Sequence, residues 1–360
     1  MTIRNSFAWQ SFDVVALPQR VLFGRGRVAE IEREVARLDA KRAWVLSTPE
    51  QAAQAEMLVE ALGGRAYGLS SGARMHTPVE ATNKELRLIE EKGADVLVAF
   101  GGGSSIGLAK ALALRTGLPQ IAVPTTFAGS EMTPILGQTE NGVKTTLRDG
   151  RLLPQTVIYD PDFVETLPPE VAGPSGMNAV AHAVEALYAE QRNPVVSMWA
   201  EAAIGALGVA LPRIMANPSD RDAWTEALYG AWLAGACLGS VGMAIHHKLC
   251  HVLGGAFDLP HADVHSLLIP YSAAYNREDA PDAMGRIARA LNVADAPMGL
   301  FQLMRKVARI KSLSELGLTL ADIDLAASMA TENPYYNPRP VDRESVRDLL
   351  RKAHRGDAPV

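Results

Sequence analysis

Four histidines and one asparagine recur at helical spacing in the second half of the chain. Asn178 and His182 lie four residues apart in "SGMNAVAHAVEALYAE" (175–190), so both side chains project from one face of a predicted helix. His247 and His251 repeat the spacing in "AIHHKLCHVLGGAFDLPH" (244–261), and His261 follows a proline in a predicted loop. This pattern is typical of a divalent-metal pocket, except that an amide occupies the position where a carboxylate is expected.

The neighbouring residues have simpler interpretations as well. A single histidine such as His182 is more often a hydrogen-bonded core residue than a functional one, but the pair on the second helix favours a site. His246 is rotated about 100° from His247 around the helix and is predicted to be structural. The sequence assigns His265 neither a structural nor a functional role. Lys248 lies in an apolar, histidine-rich helix, where a lysine is costly unless it meets an anion. We therefore expect Lys248 to meet an anionic group.

A glycine-rich segment, "VAFGGGSSIGLAK" (98–110), separates a predicted strand from a predicted helix. Gly102, Gly103 and Ser104 would let backbone N–H groups approach a phosphate at the helix N-terminus. This string alone is a weak signal, because such turns often need glycine only for packing. Thr125 and Thr126 end a second predicted strand in "PTTFAGSEMTP" (124–134). Ligands bind at the carboxyl ends of parallel strands, so the two segments together favour a dinucleotide.

The chain changes character near residue 161. Before it, buried strands are predicted at 42–48, 95–103, 119–126 and 155–161, with helical stretches between them. After it, the pattern is helical, with stretches predicted at 176–192, 196–216, 220–238, 241–254, 279–291, 296–309, 319–330 and 343–354. The predicted fold is an α/β N-terminal domain (1–161) with a mostly parallel, Rossmann-like sheet, followed by an all-α C-terminal domain (162–360). A cleft between such halves is a favoured ligand site.

Composition excludes several classes of function. The 360 residues are 48% hydrophobic and 21% charged, with a net charge of −5 and no basic run that would suggest nucleic acid. The apolar segment 227–250 is about as long as a membrane span, but glycines interrupt it and histidines follow, so a buried core helix is the better interpretation. Two cysteines and the lack of an export signal favour a soluble cytoplasmic protein that binds neither nucleic acid nor membrane.

Several motifs, in this order, resemble those of the iron-containing (group III) alcohol dehydrogenases over nearly the whole chain. They are "FGRG" (23–26), "GGGSSIGLAK" (101–110), "PTTFAGSEMT" (124–133), "GVK" (142–144), "DPDFVETLPP" (160–169), "GMNAVAHAVEA" (176–186) and "HHKLCHVLGGAFDLPH" (246–261). The resemblance implies a dehydroquinate synthase-like fold, an NAD(P) cofactor in the cleft and a homodimer. Its motifs also assign Thr133 and Lys144 to the cofactor, and Thr48 to the position where NAD-selective members carry an acid.

The same resemblance assigns the metal ligands of the family, one aspartate and three histidines, to Asn178, His182, His247 and His261, with His251 as a proton relay. Asn178 removes the only anionic ligand of that set. Gly107 is a second departure, because the family often has aspartate there. The sequence therefore predicts that the scaffold of a metal site is kept without the metal.

These departures, with "MHTPVEATNKEL" (75–86) and "NPYYNPRP" (333–340), resemble a metal-independent branch of the superfamily. That branch reduces maleylacetate to 3-oxoadipate during bacterial degradation of resorcinols, hydroxyquinol and chloroaromatics. The resemblance implies a small dicarboxylate substrate, NADH or NADPH as cofactor and no metal. His76, Tyr335 and Arg339 are further candidates for substrate contact. Histidines without a metal are expected to gain raised pKa values beside anionic substrate groups.

Other functions remain open at this point. A metal-dependent alcohol dehydrogenase acting on a small alcohol or aldehyde would have to tolerate Asn178 as a ligand. A lyase of the dehydroquinate synthase type shares the scaffold, but would need a complete zinc shell and more basic residues for a phosphate group. A non-catalytic binding protein would leave the histidines without a role.

Overall fold

The computed structural model describes residues 11–359. Six strands form one parallel sheet in the order β1–β8–β5–β4–β2–β3. Their bounds are Arg20–Phe23 (β1), Ala43–Leu46 (β2), Ala66–Ser70 (β3), Val96–Gly101 (β4), Gln120–Pro124 (β5) and Thr156–Tyr159 (β8). Two further strands, Ile135–Glu140 (β6) and Val143–Arg148 (β7), form an antiparallel hairpin beside the sheet. The mostly parallel sheet is as predicted.

Helices flank the sheet and form the rest of the chain. In the first half these are Ile31–Arg37 (α1), Ala52–Leu62 (α2), Val79–Lys92 (α3) and Gly103–Thr116 (α4). The second half contains Pro161–Val164 (α5), Pro169–Tyr188 (α6), Pro194–Ala216 (α7), Arg221–Ser240 (α8), Ile245–Ala256 (α9), His261–Tyr275 (α10), Pro281–Leu291 (α11), Ala296–Val307 (α12), Leu320–Thr331 (α13) and Arg343–Arg355 (α14). Because the sheet ends at Tyr159 and helices follow, the all-α second half is as predicted, while the domain boundary at 161 stays a prediction.

One helix corrects the sequence analysis. The loop predicted around His261 is the first turn of α10, which begins at that residue and continues through Pro270. A proline inside a helix removes one backbone hydrogen bond, so the sequence pattern indicated a break there. The consequence is functional, because α10 brings His261 and His265 onto successive turns of one rigid element.

Alternate residues of the central strands bury two separate faces. Val96, Val98 and Phe100 of β4 pack into a core with α1 and α2, whereas Leu97 and Ala99 join a larger core that continues into the helical half. The continuous core fixes the cofactor-side strands relative to the helices that carry the histidines.

Within residues 11–359, one helix, α7, is long and apolar enough to cross a membrane, and α8 with α9 passes the same test only as a pair bent by 95°. Core helices of globular proteins share this composition, and the inner side of α7 packs against α6 and α8.

Candidate active site

Six histidines from three helices lie in contact beside the sheet. They are His182 on α6, His246, His247 and His251 on α9, and His261 and His265 on α10, and we call them the histidine cluster. Ring centroids are 5.2 Å apart for His182 and His247, and 4.2 Å apart for His261 and His265. The structure thus brings together the four histidines expected from their spacing, and adds two that the sequence did not assign to the site.

A buried carboxylate, that of Glu185, anchors the cluster. His247 Nδ1 lies 2.6 Å from Glu185 Oε2, and this carboxylate also accepts hydrogen bonds from the backbone N–H groups of Ala244, His246 and His247 at 3.0, 2.8 and 3.3 Å. Four donors on one carboxylate fix the His247 ring and direct its Nε2 into the cluster. Sequence reasoning missed Glu185, although it lies three residues after His182 on the same helix.

His246 and His265 form a hydrogen-bonded pair at the inner end of the cluster. His246 Nε2 lies 3.0 Å from His265 Nδ1, and its other ring nitrogen lies 3.4 Å from the Ser272 hydroxyl. Ligand atoms of His246, His247 and His265 come within 4.8 Å of one another. Because the His246 and His265 rings already share a proton with each other, this pair supports the cluster from its inner end.

Four buried polar atoms of the site have no hydrogen-bond partner within residues 11–359. They are Asn178 Oδ1, His182 Nδ1, His247 Nε2 and His265 Nε2. Buried polar groups are rarely left unpaired, so these atoms are the ones available to a ligand. As a metal site the set fits poorly, because every donor is neutral, and the nearby carboxylate of Glu185 already has four N–H partners.

The rise in histidine pKa values expected beside an anionic substrate stays a prediction, and in the protein alone the surroundings lower these pKa values. Burial, together with neighbouring histidines, holds the pKa values of His182, His246 and His265 well below their usual range. His251 and His261 lie at the open edge of the cluster. Desolvation by the surrounding protein lowers their pKa values to about 4 and about 3. These rings are therefore neutral at pH 7 until an anion arrives.

Two lysines, one from each half of the chain, contribute positive charge near the cluster. Lys248 lies half-buried on α9 with its amine 5.8 Å from the centre of the Tyr335 ring, and its charge further lowers the pKa of His251. Lys144, on β7, acts on the pKa values of His251 and His261 in the same direction. Neither amine forms an ion pair with a carboxylate in the described part of the chain.

The glycine-rich segment joins β4 to α4 at the carboxyl edge of the sheet. Gly101 has φ +136°, and a side chain there would meet the Gln51 amide oxygen at 2.6 Å. At Gly102, a side chain would lie 2.9 Å from the Thr126 side chain. Gln51 in turn donates to the Thr125 hydroxyl at 2.6 Å. The two polar strand ends therefore do converge, as expected for a dinucleotide site.

The remaining cofactor candidates lie around this edge. Gly103 and Ser104 form the first turn of α4, and Thr48 precedes the short 3-10 turn Pro49–Gln51 at the end of β2. Thr133 has a different environment: its buried hydroxyl accepts from Lys110 Nζ at 3.0 Å and donates to the Ser130 carbonyl at 3.1 Å. Its hydroxyl proton is used inside the loop, and the assignment of Thr133 to the cofactor stays a prediction.

Lys110 was also missed. Its fully buried amine donates to the carbonyls of Ser130, Thr133 and Ile135 at 2.5, 2.7 and 2.9 Å. These contacts hold the segment after β5 against α4 and so stabilise the wall of the cofactor site.

The substrate candidates separate into two groups. Tyr335 lies beside Lys248, as described, and His76 lies close enough to His261 to influence its pKa. Arg339 instead stacks on Tyr275 at 4.4 Å and approaches Ser345, away from the cluster. Its contacts are those of a tether for the segment before α14, so the expectation of a substrate contact is not supported.

Comparison with known proteins agrees with this geometry. Residues 18–161 match the family "Iron-containing alcohol dehydrogenase", and residues 173–354 match "Fe-containing alcohol dehydrogenase family, C-terminal". The chain therefore belongs to the iron-containing alcohol dehydrogenase family and is a nicotinamide-dependent oxidoreductase.

Within that family the chain groups with the maleylacetate reductases. It is 52% identical to the maleylacetate reductase of Burkholderia cepacia over 340 residues, which cover 94% of this chain and 97% of that protein. The enzyme of the same name from Rhizobium sp. (strain MTP-10005) is 49% identical, with 97% and 99% covered. The crystal structure of maleylacetate reductase from Agrobacterium tumefaciens superimposes with a TM-score of 0.95 at 48% identity, covering 98% of this chain and all of that one.

Proposed function

We propose that this chain reduces the conjugated C=C bond of maleylacetate to give 3-oxoadipate, with NADH or NADPH and without a metal ion. The observation that carries the proposal is the cluster itself: Asn178 stands among histidines, and a buried carboxylate, Glu185, orients His247 where a metal ligand would be. The similarity to maleylacetate reductases supports the substrate.

Maleylacetate is a 4-oxo-2-enedioate, with an enone between two carboxylates. A dinucleotide whose phosphates were held at the glycine-rich segment would supply a hydride to the alkene carbon β to the ketone. Negative charge then moves to the ketone oxygen as an enolate, and a proton must reach the adjacent carbon. The protein must therefore stabilise an oxyanion, deliver one proton and hold two carboxylates.

The cluster supplies the first two requirements. His247, held through Nδ1 by Glu185, presents Nε2 to the pocket, and the neighbouring carboxylate stabilises the imidazolium form of the ring, which gives its Nε2 proton to the substrate. His251 lies one turn away, with ring centroids 6.3 Å apart, at the open edge where a proton can enter. An enolate is a weaker base than an alkoxide, so imidazole N–H groups suffice and a Lewis acid is not required.

The half-buried Lys248 supplies a cation for one substrate carboxylate. Its amine rests over the Tyr335 ring, and an anion bound there would gain a charge-assisted hydrogen bond in a partly desolvated position. Asn178 and His182, with unpaired polar atoms directed into the same region, would position the ketone side of the substrate.

The nucleotide preference follows from the end of β2. Thr48 carries no charge. The Glu50 carboxylate accepts hydrogen bonds from its own backbone N–H and from Thr48, and these bonds lower the pKa of Glu50. Arg74 lies close enough to lower that pKa further. A carboxylate suits ribose hydroxyls and an arginine suits a 2′-phosphate, so we propose that both NADH and NADPH are used.

The test is to follow oxidation of NADH and of NADPH with maleylacetate, and to identify 3-oxoadipate by NMR. We expect both nucleotides to be oxidised. Reduction of the ketone, or activity only with simple aldehydes, would contradict the proposal. The cytoplasmic location and the homodimer stay predictions from the sequence, and light scattering on the purified protein tests the dimer.

A further inference from the structure

The turn "MHTP" (75–78) holds two consecutive residues in a left-handed conformation. His76 has φ +63° and Thr77 has φ +47°. Such angles are uncommon outside glycine, and a β-branched residue there is strained. Thr77 is nevertheless buried, with 4% of its surface exposed. Strain that persists in a buried residue requires surrounding contacts that hold it.

The contact that permits this turn is at Gly107 on α4. A side-chain carbon at that position would lie 2.4 Å from the Thr77 hydroxyl oxygen, well inside any permitted contact. Thr77 therefore fits against α4 only because residue 107 has no side chain. The helix that begins at the glycine-rich segment thus also fixes the position of the turn.

The turn is joined to the β6–β7 hairpin as well. The backbone N–H of Thr139 donates to the Thr77 carbonyl at 3.3 Å, and Pro78 forms a bridge with Thr139. Across the hairpin, Thr139 is the direct partner of Lys144. His76 and Lys144 are consequently carried by one connected unit of the N-terminal half, which consists of the turn 75–78 and the β6–β7 hairpin. We call this unit the corner.

This corner faces the open edge of the histidine cluster. The positive charge of Lys144 acts on His76, His251 and His261, and His76 acts on His261. The one acidic group that acts on His76 is Asp258, in the loop between α9 and α10. The strained turn and the hairpin thus carry an imidazole and an amine together. Burial and the Lys144 charge lower the pKa of His76, so the positive charge here is that of Lys144, and His76 offers a ring N–H.

Resting on the proposed function, we propose that His76 and Lys144 bind one carboxylate of the dicarboxylate substrate, while Lys248 binds the other. Gly107 and Thr77 are positioning residues for His76 and Lys144. Lys144 and Lys248, one cation from each half of the protein, then select a substrate with a carboxylate at both ends. Lys144 contacts substrate in this scheme, whereas its sequence motif assigns it to the cofactor.

The experiment measures three quantities for each variant: KM and kcat for maleylacetate, the dissociation constant of NADH by fluorescence, and that of adipate on the NAD⁺-loaded protein by calorimetry. Adipate is an unreactive six-carbon dicarboxylate, so its binding reports on the carboxylate sites without turnover. The variants are His76→Ala, Lys144→Met, Gly107→Ala, Thr77→Ala and the double variant Gly107→Ala/Thr77→Ala. Lys84→Met, an exposed lysine on α3, is the matched control.

We expect His76→Ala and Lys144→Met each to weaken adipate binding and raise KM by about tenfold, the scale of one charge-assisted hydrogen bond, with NADH binding within about twofold of wild type. Gly107→Ala should raise KM similarly, and adding Thr77→Ala should restore it, because the clashing hydroxyl is gone. A purely structural turn would give a lower melting temperature without this rescue.

Weakened NADH binding with unchanged adipate binding in Lys144→Met would overturn the inference, as would a Gly107→Ala protein with wild-type KM. If wild-type protein binds adipate through these residues but does not turn over maleylacetate, the proposed function fails and the carboxylate site stands.

Discussion

Glu185→Gln is the most informative single change, because it removes one charge from the centre of the site and almost no volume. In the native protein, Glu185 Oε2 accepts from the backbone N–H groups of Ala244 and His247 and from the His247 ring, whereas Oε1 accepts from the His246 N–H. The glutamine NH2 group takes the Oε1 position, where it meets one donor and not three.

The magnitude follows from these contacts. One buried N–H left unpaired costs about 1–3 kcal/mol, and three remaining bonds lose their charge assistance at about 1 kcal/mol each. Relief of the buried charge offsets part of this loss, so we expect the free energy of unfolding to fall by about 3 kcal/mol. Loss of the group that stabilises positive charge on His247 should lower kcat by about 100-fold, the lower end for acid–base catalysis.

The assay combines urea unfolding with steady-state kinetics on the folded fraction. Glu170→Gln, an exposed glutamate at the start of the same helix, is the control and should behave as wild type. A Glu185→Gln protein with normal kcat per folded molecule would refute the catalytic role of the Glu185–His247 pair.

Three further predictions follow from the same structure. Asn178→Asp should bind about one zinc or iron per chain, measured by mass spectrometry, because it restores an anionic ligand; wild-type protein with stoichiometric metal would contradict this. Lys110→Met removes the amine that donates to three carbonyls, those of Thr133 and Ile135 and that of Ser130, which keeps its bonds from Thr133, and should lower the unfolding free energy by about 3 kcal/mol in urea, whereas a surface lysine changed to methionine should not. Burial lowers the pKa values of His182, His246 and His265 below 6.5, so the unfolded chain binds more protons at acid pH. Stability should therefore be full above pH about 6.5 and fall as pH drops below it; stability that is constant from pH 7 to 5 would contradict the buried neutral rings.

The central strands could be predicted because they are buried on both faces and appear as continuous apolar runs, as in β4 and β5. The edge strand β3, "AYGLS", is half-exposed, contains a glycine and lacks that pattern. The β6–β7 hairpin is mostly exposed and polar along β7, so no core face marked it.

The site divides in the same way. Spacing on one helix identified Asn178 with His182 and His247 with His251, since side chains four residues apart share a face. Glu185 and His265 depend on how α6, α9 and α10 pack together, which no local pattern encodes. The contact between Gly107 and Thr77 likewise joins residues 30 positions apart and becomes visible only in three dimensions.

The most direct test of the central claim is maleylacetate reduction by protein dialysed against EDTA, with its iron and zinc content measured in the same sample. Reduction of the double bond by the histidine cluster and Asn178 predicts that 3-oxoadipate forms at the undialysed rate with far less than one metal ion per chain. Activity that disappears with the metal and returns when iron or zinc is added would contradict the metal-independent mechanism.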